Sequence, residues 1–178
     1  MDLNPKYKPT VLADARNLPL RASTFDGVHL SHILEHVIDP ENILKEVRRV
    51  AKVGKKVTIT FPNFACASVL MAWFQGFCWK SQRSTQKSPY IISPGLERAY
   101  SIIYGSHSVG EYDVHHVPLS LPLLRDLLEE FGFRVESAKG DMIRLPFRRV
   151  KLIRSLSKAL GRLIPSRAGI ITLIARKV

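Results

Sequence analysis

The stretch "FDGVHLSHILEHVIDPENILKEVRRVAKVGKKVTITFP", residues 25–62, decides the fold. Its first seven residues make a short apolar run that predicts a buried strand. A helix is predicted next, because Asp39 can cap it, Pro40 suits its first turn, and apolar residues recur at helical spacing until Gly54. The β-branched run 55–61 predicts a second strand that ends at the following proline.

The rest of the chain continues this alternation of strands and helices. Strands are predicted for "TVLAD" (10–14), for 133–138 and for 169–177, and a helix capped by Ser120 precedes the second of them. Strands that alternate with helices indicate an α/β protein with a largely parallel sheet. We therefore predict a single domain over residues 1–178.

Two segments stand apart from the alternation. Residues 64–111 are predicted to form an insertion or lid, whose aromatic side chains suit a hydrophobic acceptor site, a plain core helix or an oligomer interface. Residues 148–164 predict a cationic amphipathic helix. No uninterrupted apolar run reaches the ~20 residues of a membrane span, and no secretory signal is visible. We expect a cytoplasmic protein.

The net charge of +12 is unevenly distributed along the chain. Residues 142–178 hold 10 Lys/Arg and no acid, whereas residues 1–141 hold 17 Lys/Arg against 15 acids. Such a basic region favours an anionic partner. For the helix at 148–164 two interpretations stand: its Leu/Ile stripe packs on the domain, or it contacts a membrane peripherally. Nucleic acid fits less well, because no aromatic side chains interleave with these cations.

Within the opening stretch, His32, Glu35 and His36 fit the zinc-binding pattern H-x-x-E-H. Such a zinc site requires both histidines on one face of a regular helix. Here the segment directly follows a strand, and the next helix is capped only at Asp39. We therefore predict a strand-to-helix connection and no metal site.

Residues 12–63 resemble the middle of class I S-adenosylmethionine-dependent methyltransferases, in the group called type 11. The resemblance rests on "DARNLPL", "FDGVHL", "LEHVIDP", "EVRRVAKVG" and "PN" at that family's spacing. It extends over 2–64 and, through "HHVPLSLPLLRDLLEEFGFRVE" and "ITLIARK", over 112–178. It implies a Rossmann-like sheet of strand order 3-2-1-4-5-7-6, S-adenosylmethionine as the cofactor, and methyl transfer to a small or lipid-like acceptor.

The resemblance also implies cofactor-binding residues. Asp14 would accept a hydrogen bond from the exocyclic amine of the adenine, and the backbone N–H of Ala15 would meet the ring. Asp2 would accept from the ribose hydroxyls, while Leu3 would pack on the adenine face. Ser31, at the carboxyl end of a strand, would line the pocket, because ligands of open α/β sheets bind at that edge.

Further roles follow from the same resemblance. Glu35 and His36 are expected to brace the loop under the cofactor pocket by hydrogen bonds. His115 and His116 are the candidate catalytic bases, since a nucleophile that carries a proton needs one. The alternative for both histidines is a structural or exposed loop position.

One departure from the family concerns the glycine-rich loop G-x-G-x-G after the first strand, which the sequence lacks. The first strand and first helix are expected to be absent, so that the strand at residue 25 shows an unpaired edge. Upstream residues outside this chain, a partner segment, or a domain that no longer binds cofactor would each account for the gap, and we prefer the first. The rival function is a non-catalytic binding or interaction module on the same scaffold.

Overall fold

The regular structure of the chain is seen in a computed structural model that describes residues 1–2, 4–66, 117, 119–143 and 151–178. Its strands and helices are β1 (Phe25–Ser31), α1 (Pro40–Val50), β2 (Ala51–Pro62), α2 (Leu121–Glu130), β3 (Phe133–Gly140), α3 (Lys151–Leu163) and β4 (Ile170–Lys177). Three-residue 3₁₀ turns lie at Pro5–Tyr7, Leu34–His36 and Pro165–Arg167.

The four strands form one mixed sheet in the order β1-β2-β4-β3. β1 and β2 are parallel, whereas β4 runs antiparallel to both β2 and β3. In the predicted order 3-2-1-4-5-7-6, these strands take the places 4, 5, 7 and 6. The predicted α/β architecture is confirmed, with β4 as the one reversed strand of the described sheet.

The segment "TVLAD" was expected to be a full strand, and this expectation is wrong for the described residues. Leu12 makes one isolated parallel bridge, with Asp2, and no longer ladder is present there. A strand needs neighbours to satisfy its backbone groups, and within the described part of the chain β1 pairs with β2 on one edge only.

The end of α1 also differs from the sequence prediction. The helix was expected to continue to Gly54, but it ends at Val50 because Ala51 adopts extended backbone and pairs with Phe25 of β1. Asp39 occupies the N-cap position, yet its side chain makes no capping hydrogen bond. Ser120, in contrast, caps α2 as predicted, by accepting from the N–H of Leu123.

The core lies between the sheet and the helices α1 and α2. Alternate residues of β2, Val57, Ile59 and Phe61, are fully buried. Helices α1 and α2 cover them with apolar side chains at helical spacing; the most buried of these are Ile43, Leu44, Val47, Leu124 and Leu128. Fully burying such a side chain contributes roughly 1.5–3 kcal/mol, so this layer holds β1 and β2 in register.

Helix α3 packs on the chain through its smallest residues. Ser157 and Gly161 are its buried positions, and the N–H of Ile143 donates to the carbonyl of Ser157 at 3.0 Å. A Cβ placed on Gly161 would lie 2.5 Å from Cα and 2.7 Å from N of Met142. The backbone of the helix thus touches the backbone of the segment that follows β3.

We predict that Gly161→Ala destabilises the protein by about 1–2 kcal/mol. The steric overlap of the added Cβ should cost near the upper end of ~1–3 kcal/mol, because main-chain atoms cannot rotate aside. Alanine has a higher helix propensity than glycine, which offsets about 1 kcal/mol of this cost. Chemical unfolding measures the change. Gly27→Ala in β1 is the control, because its added Cβ would meet nothing closer than 3.9 Å. Equal stability of the two variants would contradict the close approach.

Candidate functional site

The parallel strands β1 and β2 end at the same edge of the sheet, which we call the carboxyl edge. Ser31, the last residue of β1, is exposed and lies in register with Thr60 of β2. The N–H of His32 donates to the carbonyl of Thr60 at 2.9 Å, so the pairing continues one residue beyond β1. Ligands of open α/β sheets bind at such an edge, as the sequence implied for Ser31.

Asp2 and Asp14 lie on two neighbouring extended segments. Asp2 bridges Leu12, and the N–H of Ala13 donates to the carbonyl of Asp2 at 3.1 Å. Asp14 follows two residues beyond this bridge, on the segment that runs parallel to Asp2. The structure therefore places both predicted adenosine ligands on adjacent stretches of chain that run in one direction.

The carboxylate of Asp14 is held by Arg16. The guanidinium donates from Nε at 3.0 and 3.1 Å and from Nη2 at 2.6 Å, and the backbone N–H of Arg16 donates at 2.9 Å. These hydrogen bonds, the side-chain ones above all, lower the pKa of Asp14. An ionised carboxylate is an acceptor only, which suits an exocyclic amine. Such an amine would have to share the Asp14 carboxylate with Arg16 or displace the guanidinium of Arg16.

Asp2 is less constrained than Asp14. Its side chain is exposed, and Oδ1 accepts from the N–H of Asn4 at 2.8 Å. Because a carboxylate has about four acceptor positions, capacity for hydroxyl donors remains on Asp2. Ala15 is partly buried and packs against the core, so its backbone position is fixed next to Asp14.

Glu35 is the most unusual polar residue of the carboxyl edge. Its side chain is almost fully buried, and no described residue makes a hydrogen bond to either carboxylate oxygen. His32 Nδ1 lies 3.3 Å and His36 Nε2 4.0 Å from Oε1. Burial raises the pKa of Glu35 to about 7, and burial also lowers the pKa of His32.

The expected brace by the Glu35 side chain is therefore wrong, and the backbone provides one instead. The carbonyl of Glu35 accepts from the N–H of Val117 at 3.2 Å, and the N–H of His36 donates to the carbonyl of Ile33 at 3.1 Å. The 3₁₀ turn Leu34–His36 confirms the predicted strand-to-helix connection. Burial of a carboxyl group could not be read from the sequence pattern "LEHV" alone.

Asn63, directly after β2, is a structural residue of this edge to which sequence reasoning gave no role. It is fully buried, and its Nδ2 donates to the carbonyls of Ser166 and Ala168, both at 2.9 Å. Its Oδ1 accepts from the N–H of Ala65 at 3.2 Å. The amide therefore ties the end of β2 to the turn before β4. The dipeptide "PN" at the end of a predicted strand was the available signal.

Three predicted site residues, Leu3, His115 and His116, lie outside the described residues, as do residues 67–111 of the predicted insertion. Among the residues described, no cluster of three or more His, Cys, Asp or Glu side chains could hold a metal ion. None of the described helices is both long and apolar enough to cross a membrane.

A cavity of about 520 Å³ lies away from the carboxyl edge, at the opposite ends of β2 and β3. It is lined by Lys45, Arg48, Arg49, Glu130, Phe131, Gly132 and Lys177. Its location at the start of β2 and β3 separates it from Ser31 and Glu35, which lie at and just beyond the end of β1. We therefore base the candidate site on the geometry of the carboxyl edge and not on the size of this cavity.

Known sequences match the N-terminal third of the chain. Residues 2–59 match the family model for a methyltransferase domain. Over 63 residues the chain is 38% identical to a demethylmenaquinone methyltransferase of Corynebacterium urealyticum, and over 56 residues it is 39% identical to one of Streptomyces avermitilis. Each match covers 32% of this chain, but only 27% and 24% of these two relatives.

Solved structures of similar fold extend over nearly the whole chain. A SAM-dependent methyltransferase of Methanosarcina mazei gives a TM-score of 0.56 at 16% identity, over 93% of this chain and 65% of that one. One from Thermotoga maritima, described as a possible histamine N-methyltransferase, gives 0.54 at 18% identity, over 93% and 62%. At such identities the likeness concerns the fold.

The fold and the matched segment are similar to one class of protein. Residues 2–59 match a methyltransferase-domain model, and the fold of the sheet is similar to that of solved S-adenosylmethionine-dependent methyltransferases. The resemblance stated from the sequence is confirmed in both respects. The enzyme class and the cofactor predicted from the sequence are those of the matched proteins.

We predict that Glu35 makes the protein less stable as the pH rises from about 4.5 to about 7. An exposed glutamate loses its proton near 4.5, whereas folded Glu35 keeps it to about 7, so the unfolded state releases the proton first. The stability conferred by protonated Glu35 is complete below pH 4.5 and is lost by about pH 7. Two and a half pKa units correspond to about 3 kcal/mol. Between pH 4.5 and 7, the free energy of unfolding of the wild type should therefore fall by about 3 kcal/mol relative to that of Glu35→Gln.

Glu46→Gln is the matched control for this measurement. The Arg49 side chain lowers the pKa of Glu46, so the stability from that pair is present above the usual glutamate pKa and is lost as the pH falls. Relative to Glu46→Gln, the free energy of unfolding of the wild type should therefore fall as the pH falls, which is the opposite sign. Parallel stability profiles of wild type and Glu35→Gln would show that Glu35 ionises normally.

Proposed function

We propose that the chain takes part in S-adenosylmethionine-dependent methyl transfer to a small or lipid-like acceptor, with the cofactor bound at the carboxyl edge. The observation that carries the proposal is the placement of ionised Asp14 beside Ala15, on a segment bridged in parallel to Asp2. Two carboxylates and a fixed backbone N–H are the groups that recognise an adenosine. The matched methyltransferase-domain model covers these same residues.

The residues present fit the adenosine part of the cofactor. Asp14 would accept from the adenine amine, Asp2 from the ribose hydroxyls, and Ser31 would line the pocket from the end of β1. When bound, the cofactor supplies an electrophilic methyl group on a sulfonium. The protein's part in such a displacement is to orient the acceptor and exclude water.

Proton transfer at the site would be needed for an acceptor that carries a proton. His115 and His116 stay the predicted bases. Glu35 is a further candidate, because a carboxyl group with a pKa of about 7 can hold or release a proton at Oε1 or Oε2 near neutral pH. His32, 3.3 Å away, is the described neighbour that could exchange that proton.

A lipid-like acceptor is supported by the sequence relatives. Both are named for demethylmenaquinone, an apolar quinone, although the matches cover about a third of this chain. The aromatic side chains predicted for the insertion at 64–111 suit such an acceptor. Transfer of a labelled methyl group to a demethylated quinone, compared with transfer to a polar amine, tests this acceptor class.

A non-catalytic module on the same scaffold is the second candidate, and one observation favours it. All hydrogen bonds to the Asp14 carboxylate that the structure describes are donated by Arg16. Both side chains are partly exposed, however, and exposed ion pairs contribute only about 0.2–1 kcal/mol. An adenine amine can therefore displace the guanidinium at small cost.

We predict that the protein binds S-adenosylhomocysteine and that Asp14→Ala weakens the binding roughly 10- to 100-fold. A hydrogen bond to a charged group contributes about 1.5–3 kcal/mol, which sets this range. Arg16→Met should bind equally or up to about fivefold more tightly, since it removes the competitor. Titration calorimetry measures all three affinities.

Asp26→Ala is the matched control for Asp14→Ala. Asp26 is also ion-paired, with Lys52 at 2.7 Å and Lys55 at 3.1 Å, but it lies near the start of β1, away from the carboxyl edge. Its replacement should leave the affinity unchanged. No binding by the wild-type protein would favour the non-catalytic module, and equal losses in both variants would remove Asp14 from the site.

A further inference from the structure

The orientation of α3 around its own axis is fixed by its small residues. Ser157 and Gly161 are buried, and the space beside Gly161 is filled by the backbone of Met142. The N–H of Ile143 donates to the carbonyl of Ser157 at 3.0 Å. A rotation that buried another side would bring a larger side chain against this backbone. The side with Ser157 and Gly161 must therefore face the domain.

This orientation turns the leucine stripe of α3 toward solvent. Leu152 is 79% exposed, Leu163 77% and Leu156 51%. At 100° per residue, these three positions lie roughly 140° around the helix from the buried side. The packing interpretation made from the sequence is therefore wrong for them, although Ile153 and Leu160 are partly covered. Three large leucines on one exposed stripe call for a partner.

The third side of α3 is cationic. Lys151, Arg154, Lys158 and Arg162 are all exposed there, and residues 142–178 contain no acidic residue that could neutralise them. Lys151 and Arg162 lie nearest to the leucine stripe, roughly 110° from its centre. Long basic side chains on such positions can extend their charged ends to the level of lipid headgroups while the apolar side is buried.

We propose that α3 docks the protein on the surface of an anionic bilayer. Leu152, Leu156 and Leu163 enter the boundary between headgroups and acyl chains, and the cations contact the anionic headgroups. The helix has 13 residues, so it is about 20 Å long and lies in the plane of the surface. The docking surface is thus defined by three leucines and four cations on two adjoining sides of one helix.

Charge decides between a bilayer and the other possible occupants. A second copy of α3 packed on the leucine stripe would bring two cationic helices together, and residues 142–178 supply no acid to offset their like charges. Nucleic acid would contact the cations but leave the leucines exposed. An anionic bilayer satisfies both the apolar and the charged side, and it also places the protein where lipid-like acceptors are dissolved.

Co-flotation with vesicles tests the proposal, because aggregated protein does not float. The wild-type protein should float with phosphatidylcholine–phosphatidylglycerol vesicles and only weakly with pure phosphatidylcholine. Two variants should each lose about tenfold or more in partitioning to the anionic vesicles. One is Leu152→Gln, Leu156→Gln and Leu163→Gln; the other is Lys151→Gln, Arg154→Gln, Lys158→Gln and Arg162→Gln. Glutamine keeps helix propensity, and the replaced residues are exposed, so both should fold.

A matched control removes the same charge elsewhere. Lys6, Lys8, Arg21 and Arg125 are exposed cations outside α3, and their joint change to Gln should alter partitioning less than twofold. Circular dichroism and thermal unfolding establish that each variant is folded; if the triple leucine variant unfolds, Leu156→Gln alone should still reduce partitioning severalfold.

Three outcomes of the flotation experiment would overturn the proposal. The first is absence of wild-type flotation with either vesicle. The second is an equal loss in the control and in the α3 charge variant, which would show that net charge alone acts. The third is unchanged partitioning of the leucine variant. A wild-type dimer in light scattering that the leucine changes dissociate would assign the stripe to a second copy, and binding to RNA without need of the leucines would assign the cations to nucleic acid; either would replace the bilayer as partner.

Discussion

The parallel pairing of β1 with β2 is the contact on which the rest of the structure depends. It runs in unbroken register from Gly27 and Lys56 to Ser31 and Thr60. Parallel strands need a crossover, and α1 supplies it by packing its apolar side on the sheet. Because both strands then end at one edge, the connection with Glu35, the exposed Ser31 and the buried amide of Asn63 meet there. Without this pairing there would be no carboxyl edge at which a ligand could bind.

Two carboxyl groups among the candidate residues, Asp14 and Glu35, differ because their surroundings differ. Asp14 is partly exposed and held by Arg16, which lowers its pKa and keeps it an acceptor. Glu35 is buried beside His32 without a hydrogen bond to its oxygens, and its pKa rises to about 7. The first suits recognition of an amine, and the second suits exchange of a proton. Neutral and ionised carboxyl groups close to a reaction site commonly divide such roles.

The sequence predicted those features that local pattern determines. The bounds of β1 and the cap at Ser120 agree with the structure, since an apolar run and a hydroxyl before a helix have few alternatives. The end of α1 was misplaced because pairing with Phe25 draws Ala51 into β2, and a partner strand is not visible in local sequence. The burial of Glu35 and the rotation of α3 could not be predicted either. Periodicity identifies the leucine stripe, but the side that packs is chosen by the small residues Ser157 and Gly161 and by backbone that lies elsewhere in the chain.

The central claim is that the carboxyl edge, and not the basic cavity at the other end of the sheet, binds an adenosine-containing ligand. Backbone amide NMR during titration with S-adenosylhomocysteine tests this most directly, because each described residue other than proline has an amide signal that reports its own location. The account predicts that shifts concentrate at Asp2, at 13–16 and at 31–36. Shifts confined to Lys45, Arg48, Gly132 and Lys177, or no shifts at saturating ligand, would contradict it.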